Sequence, residues 1–274
     1  MEQKKIDELI NKGRAFIRYG YEPEDPEYQS DQQLRKPQPP LVKEPMASSS
    51  IELPLDFADI IANNDFLSVI NSRSSHRLYT QEQLSLKQLS FLLWCSQGVK
   101  DIRGKSYATI RTVPCGGARH QFEVYMALRN VEGLEDGLYH YLPMGHRIEL
   151  LKQPEDLEGF IGQSLQGQLW ASKANVVFYY AMVFYRVEWR YGIYAHRVAL
   201  IDAGHITENV YLACTALGLG GCAIGSVNGK LCDGMFCLDG NEESIFYAHT
   251  VGTISDRDKQ GEQDFYRFVK EQGL

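Results

Sequence analysis

The stretch from His196 to Leu217 constrains this chain most. It repeats apolar residues at helical spacing, carries few charges, and is studded with small side chains at Ala199, Ala203, Gly204, Ala213 and Ala216. A helix that is apolar on most sides must be buried on most sides, in a core or at a subunit interface. Gly218, Gly220 and Gly221 then end it. A fold built on this sequence has a central helix, and the remaining elements must be arranged around it.

Other elements can be placed by local signals. Asp65 is a candidate cap for a short helix carrying Phe66, Val69 and Ile70. Ser85 with Gln88 three residues later is a capping box, opening a helix through Leu86, Leu89, Leu92 and Leu93 that Gly98 ends at the C′ position. Phe122, Val124, Met126 and Leu128 alternate with Glu123, Tyr125, Ala127 and Arg129, the period of a strand. A hairpin is expected from Leu138–Leu142 to Arg147–Leu151, turning at Pro143, Met144 and Gly145. The segment 155–172 reads as a helix, and Asn175–Tyr185 as a buried strand. Strands are also expected at Cys222–Val227 and Ser244–Val251. Helices and strands mix without regular βαβ alternation, so the class is α+β, a mixed sheet flanked by helices.

Residues 1–50 have a different character, and the domain is read as 51–274. An amphipathic helix is expected from Ile6 to Tyr19. Pro37, Pro39, Pro40 and Pro45 exclude regular structure after it. This Pro-rich arm is read either as a partly ordered tail or as an arm that wraps a partner subunit.

Composition narrows the function. A net charge of −7 offers no global basic field for nucleic acid. The longest apolar run, near Asn175–Tyr185, is far short of the roughly 20 residues a membrane helix needs. The six cysteines, at 95, 115, 214, 222, 232 and 237, contain no CxxC pair and suggest neither zinc nor a disulfide framework. Reduced thiols in a cytoplasmic protein with no metal is the expectation.

Four constellations carry possible chemistry. SRSSHR, Ser72–Arg77, gathers guanidiniums and hydroxyls suited to a phosphate ester, although a solvated basic turn has the same composition. Pro114, Cys115, Gly116, Gly117 and Ala118 would let a flat ligand lie against main chain, or simply form a loop. GLGGCAIGS, Gly218–Ser226, follows a helix and enters a strand. That is the reverse of a dinucleotide fingerprint, so a Rossmann reading is rejected. Arg190 and Tyr191, with Trp189, Gly192, Tyr194, His196 and Arg197, place a phenol beside a cation, or else cover the end of the long helix.

In this order, these motifs resemble the nitroreductase superfamily of FMN enzymes, and within it the SagB-type dehydrogenase branch. The resemblance spans about residues 65–253, with a weaker likeness in SDQQLRKPQPPLVKEP. It implies that Arg73, Ser74, Ser75 and Arg77 hold FMN phosphate and ribityl oxygens. It implies that Pro114, Cys115, Gly116 and Gly117 reach the flavin of the other subunit, with cysteine in a serine place. It sets Gly221, Ala223, Ile224, Gly225 and Ser226 beside the flavin ring. The Asp202–Gly220 phrase resembles the central dimer helix, so a homodimer is implied. SagB-type azoline oxidases carry Lys-Tyr where this chain has Arg190-Tyr191. Arginine stays protonated and cannot act as a general base, which leaves Tyr191 as the acid or base. The implied activity is hydride transfer between FMN and a small molecule or peptide: azoline oxidation, beside a cyclodehydratase, or NAD(P)H-dependent reduction of a nitro or quinone substrate. A non-catalytic flavoprotein scaffold is the alternative. Arg257 and Lys259, after Gly252, are candidates for a further phosphate contact.

Overall fold

The computed structural model describes residues 3–18 and 27–273. The helices are α1 (Gln3–Arg18), α2 (Phe66–Ser72), α3 (Leu86–Gln97), α4 (Leu157–Ser164), α5 (Phe184–Tyr191), α6 (Ala195–Leu217), α7 (Gly229–Met235) and α8 (Asp256–Glu271). The strands are β1 (Ile51–Glu52), β2 (Val99–Arg103), β3 (Ala108–Arg111), β4 (Phe122–Leu128), β5 (Gly137–Leu142), β6 (Arg147–Lys152), β7 (Val176–Val183), β8 (Gly220–Ile224) and β9 (Glu243–Gly252). Seven strands form one sheet in the order β1-β6-β5-β4-β7-β9-β8, and β2 and β3 form a separate hairpin.

Alternation along β4 distributes side chains between two cores. Phe122, Val124, Met126 and Leu128 join the core that holds α3 and α6. Tyr125 and Ala127 join the opposite core, with Phe160 of α4 and Cys232 of α7. The strand is therefore buried on both faces, and Glu123 on it can ionise only with partners close by. Arg186 supplies one at 2.5 Å, and His140 another at 3.4 Å.

The α+β architecture is as expected. Its mixed character is slight: every pairing between named strands of the seven-stranded sheet is antiparallel. The parallel element at this edge is one bridge, Ser75 to Gly221.

The capping box at Ser85 forms in full, and Asp65 caps α2. Gly98 does end α3, but in an extended conformation that leads straight into β2. The glycine is needed because a Cβ there would press on the Trp94 ring. The expected helix over 155–172 breaks into α4 and a 3₁₀ turn, Leu169–Lys173, because Gln166 and Gly167 both take positive φ. The strand expected to reach Val227 ends at Ile224. The first helix starts earlier than expected, at Gln3, and its expected end at Tyr19 lies outside the described residues.

From 27 to 50 the chain runs over its own sheet and helices as a strap. Lys43 N–H donates to Glu123, and Lys43 Nζ pairs with Glu243 and donates to Tyr125 OH at 2.9 Å. Met46 and Ala47 N–H groups both donate to the Glu149 carboxylate. Nearer its start, Gln32 N–H donates to the Trp189 carbonyl, and Trp189 Nε1–H donates to the Lys36 carbonyl. Among the described residues, no helix is long and apolar enough to cross a membrane.

Candidate functional site

The two ends of α6 organise two separate groups of predicted residues. At the C-terminal end, Gly218 takes the left-handed conformation (φ +73°) that turns the chain out of the helix and into β8. Beside it the Arg73–Arg77 segment lies along β8. Ser75 bridges to Gly221, and His76 N–H donates to the Gly221 carbonyl at 2.9 Å. Tyr211, on α6, fastens the arrangement. Its hydroxyl shares a 2.9 Å hydrogen bond with Ser75 Oγ and accepts the Ala223 N–H at 2.8 Å. The Arg73 guanidinium lies 5.3 Å from the Tyr211 ring centre. A cavity of about 460 Å³ opens here, lined by Arg73, Ser74 and His76, by Gly218 and Leu219, and by Tyr266 of α8. Arg77 lies beside it, with Nη1 reaching Tyr266 OH at 3.5 Å.

A second depression, of about 300 Å³, lies by Gly225 and is walled by Leu200, Ala203, Gly204, Phe246 and Tyr247. Neither Gly204 nor Gly225 has an atom within 4 Å of where a Cβ would stand. Bare main chain facing open space is what a flat ring needs. The residues present therefore fit a phosphorylated ligand with a planar ring: cation and hydroxyls in one hollow, open glycine main chain in the other.

The N-terminal half of α6 holds the other group. Asp202 is buried and accepts the Gly116 N–H at 3.1 Å, Gln121 Nε2–H at 3.0 Å and the Cys115 thiol at 3.2 Å. The sulfur of Cys115 is thus turned inward, toward Asp202 and Gln121. Burial, and the Asp202 charge after it, push this thiol up to about 12, so it stays protonated and serves as a donor. Gly117 takes φ +57°, and a Cβ there would collide with the Arg190 side chain. Arg190 and Tyr191 end α5 rather than lying in a loop. Arg190 Nη1 donates to Gln32 Oε1 and to Tyr107 OH, each at 3.1 Å.

The structure therefore brings Arg73–Arg77 together with Gly221–Ser226, and Pro114–Gly117 together with Arg190–Tyr191. The Gly225 hollow also meets α6 at Leu200, Ala203 and Gly204, the stretch that contains Asp202, so the two groups approach along the N-terminal half of that helix. Asp202 and Tyr211 mark them on α6, nine residues and so about 14 Å of helix apart. The Lys259 side chain lies outside the described residues. Sequence reasoning missed Asp202, Tyr211, Gln121, Tyr107 and Gln32. The first two sit on the recognised long helix, but only their partners, far away in sequence, reveal what they do. Among the described residues, no cluster of three or more His, Cys, Asp or Glu side chains is placed to hold a metal.

Comparison with known proteins gives the family. The model of the nitroreductase family matches residues 70–253. The chain belongs to the nitroreductase family. A nitroreductase-named protein of Methanocaldococcus jannaschii is 34% identical over 158 residues, covering 58% of this chain and 77% of that one. The trifolitoxin-processing protein TfxB of Rhizobium leguminosarum is 31% identical over 150 residues, with 52% of this chain and 39% of that one covered. The microcin B17-processing protein McbC of Escherichia coli is 24% identical over 177 residues, with 59% and 63% covered. The chain thus spans less than two thirds of either processing protein. Among solved folds, a Ralstonia eutropha nitroreductase-named protein superposes with a TM-score of 0.56 at 26% identity, covering 80% of this chain and 95% of that one. A chain of the E. coli microcin synthetase McbBCD complex, solved with truncated pro-MccB17 bound, superposes with a TM-score of 0.55 at 18% identity. It covers 93% of this chain and 95% of that one, so the likeness of fold extends beyond the 70–253 core.

Proposed function

We propose that this nitroreductase-family chain is an FMN-dependent oxidoreductase that works as a homodimer. The observation that carries the reading is the pinning of Arg73–Ser75 against β8 by Tyr211, which sets a guanidinium and serine hydroxyls beside bare strand main chain. Arg73, Ser74, Ser75 and Arg77 would hold the phosphate and ribityl oxygens by charge-assisted and neutral hydrogen bonds. Gly221, Ala223, Ile224, Gly225 and Ser226 would border the ring. Bound FMN would supply hydride transfer, and the protein's part is to orient the ring and keep water from it.

The dimer reading rests on the family resemblance and on apolar surface left uncovered in one chain. In it, Pro114–Gly117 of a second copy would reach the flavin site. The apolar exposed residues Leu200 and Ile201 on α6, and Phe66 and Leu67 on α2, offer the surface for that pairing. Tyr191 would give or take a proton during turnover, with Arg190 beside it steadying negative charge.

The identities shared with TfxB and McbC favour a peptide substrate, with azoline oxidation as the reaction and a cyclodehydratase as partner. Arg190, where azoline oxidases carry lysine, favours the second reading, an NAD(P)H-dependent reductase of a small electron-poor substrate. The test is the visible spectrum of the purified protein before and after NADPH is added without oxygen. Flavin that bleaches marks the reductase; flavin that stays oxidised marks a dehydrogenase reduced by its own substrate, or a scaffold. A protein that takes up no FMN would sink the proposal.

A further inference from the structure

Two guanidiniums beside Gly117 have no carboxylate partner among the described residues. Arg119 is only 4% exposed, and it lies between the rings of Tyr107, at 5.0 Å, and Trp189, at 5.3 Å. Its Nε–H donates to the Gly117 carbonyl at 3.0 Å, and its Nη2–H to the Tyr107 carbonyl at 3.1 Å. Arg190 packs on the other side of Gly117, bonded to an amide and a phenol. Among the described residues, the charged and titratable groups that act most strongly on these two cations are each other, tyrosines and Cys115.

The chain has 35 Asp and Glu against 28 Lys and Arg, so acids are in surplus. Three other cations that leave water take one: Arg186 has Glu123, Arg129 has Glu158 and Lys43 has Glu243, while buried Arg111 is bonded to Thr109, Gln97 and the Leu41 carbonyl and feels the Glu123 charge without pairing to it. A guanidinium taken from water without a counter-charge costs free energy, and aromatic faces and carbonyls offset only part of that. A second cation close by adds repulsion, and Arg119 is held below its usual value first by burial and further by Arg190.

The exposed rim of the cluster points outward in its chemistry. Tyr107 is 39% exposed. Its oxygen already accepts from Arg190 Nη1 and from Gln32 Nε2, which leaves its own proton to be donated elsewhere. Burial alone would raise the Tyr107 phenol, yet the Gln32 bond and the two arginine charges bring it below its usual value, which makes it a stronger donor. Cation and polarised phenol together suit an oxyanion.

We infer that Arg190, backed by Arg119 and flanked by the Tyr107 hydroxyl, is a receptor for an anionic group, a carboxylate or a phosphate, on the ligand that enters beside Gly116 and Gly117. The use of the subsite rests on the oxidoreductase reading, since it would give that enzyme substrates or reductants bearing an acid group. The binding itself does not. Two sources share this chemistry: the extra phosphate of NADPH, and a carboxylate on the substrate.

The test is calorimetric titration of the full-length protein with two matched pairs, 4-nitrobenzoate against 4-nitrobenzamide and NADPH against NADH. The charged member of at least one pair should bind about tenfold tighter, the range of a charge-assisted contact, and added salt should shrink the preference. Arg190→Gln should abolish the preference and Arg190→Lys should keep most of it. A preference in the nitrobenzoate pair assigns the carboxylate, and one in the dinucleotide pair assigns the phosphate. Equal affinity or no measurable binding in both pairs, or a preference that survives Arg190→Gln, overturns the inference. Flavin content is read separately by absorbance. Colourless protein that still selects anions would remove the oxidoreductase reading alone, and yellow protein that selects none would remove the anion subsite alone.

Discussion

Both oxygens of the Asp202 carboxylate stand 3.1 Å from the Gly116 nitrogen, so the central helix directly holds the glycine loop. The same carboxylate takes donors from Gln121 and Cys115. Replacing Asp202 with Ala would strand three donors at once, one buried and two part-buried. We expect a loss of about 2–4 kcal/mol of stability, since each lost bond to a buried charge costs on the order of 1.5–3 kcal/mol and the loop can relax in part. Urea denaturation reads this as a lower midpoint. An unchanged midpoint would mean that the loop does not depend on Asp202.

Tyr211 makes a second such tie, and its loss should be felt in ligand affinity. Tyr211→Phe keeps the ring under Arg73 but removes the hydroxyl shared by Ser75 and Ala223 N–H. FMN should bind about tenfold more weakly, which corresponds to one hydrogen bond of about 1.4 kcal/mol. Titrating stripped protein with FMN measures it. Retention equal to the parent would show that the Ser75 position is set elsewhere.

Buried histidines should make stability fall between pH 6.5 and 4.5. Burial pushes His249 down to about 3, His146 to about 4 and His120 to about 2. Each stays neutral in the fold while the unfolded chain takes up a proton below about 6.5, so folding is favoured above that pH and loses stability as pH falls. The slope is about 1.4 kcal/mol per pH unit for each such group. His140 has the opposite sign. Its value is raised by Glu123 and Glu149 against the effect of burial, so its contribution is full below 6.5 and fades above it. Glu123 and Glu149 are depressed and act below about 4.5, outside this window. Among the described residues His249 has no hydrogen-bond partner on either ring nitrogen, so His249→Phe should flatten the melting-temperature profile between pH 4.5 and 6.5. An equally steep profile in that variant would assign the effect to other groups.

The strap should depend on Lys43. Lys43→Met removes the cation between Glu243 and Tyr125 OH but keeps the main-chain bond to Glu123. The pair is partly exposed, so we expect about 1–2 kcal/mol of lost stability, less than for a fully buried pair. Protease cleavage within residues 36–47 should quicken. Equal cleavage rates in the variant and parent would show that Glu149, and not Lys43, fastens the segment.

The local elements of this fold were legible because their signals are local. Ser85 and Gln88 lie within one turn, and the long helix announces itself by composition. The segment 155–172 misled because its apolar spacing continues across Gln166 and Gly167, whose positive φ breaks the helix. Helix α5 hid behind the aromatic residues of FYRVEWRY, and the β2–β3 hairpin behind its charges. In the site, the Arg73–Arg77 motif could be read because a phosphate needs that composition. Asp202 could not, because an acid on an apolar helix signals nothing until Gly116, 86 positions away, is placed against it.

Lys43 and Glu243 stand 200 positions apart. A ribosome adding roughly 5–20 residues per second needs about 10–40 s to make the chain between them. The strap is therefore made well before its last partner, Glu243, is available to pair with it. During that interval its prolines keep it from starting a helix or central strand of its own, and the sheet can close without it. What reads in the finished molecule as a clasp is, during synthesis, a segment that must wait for its final anchor to be built.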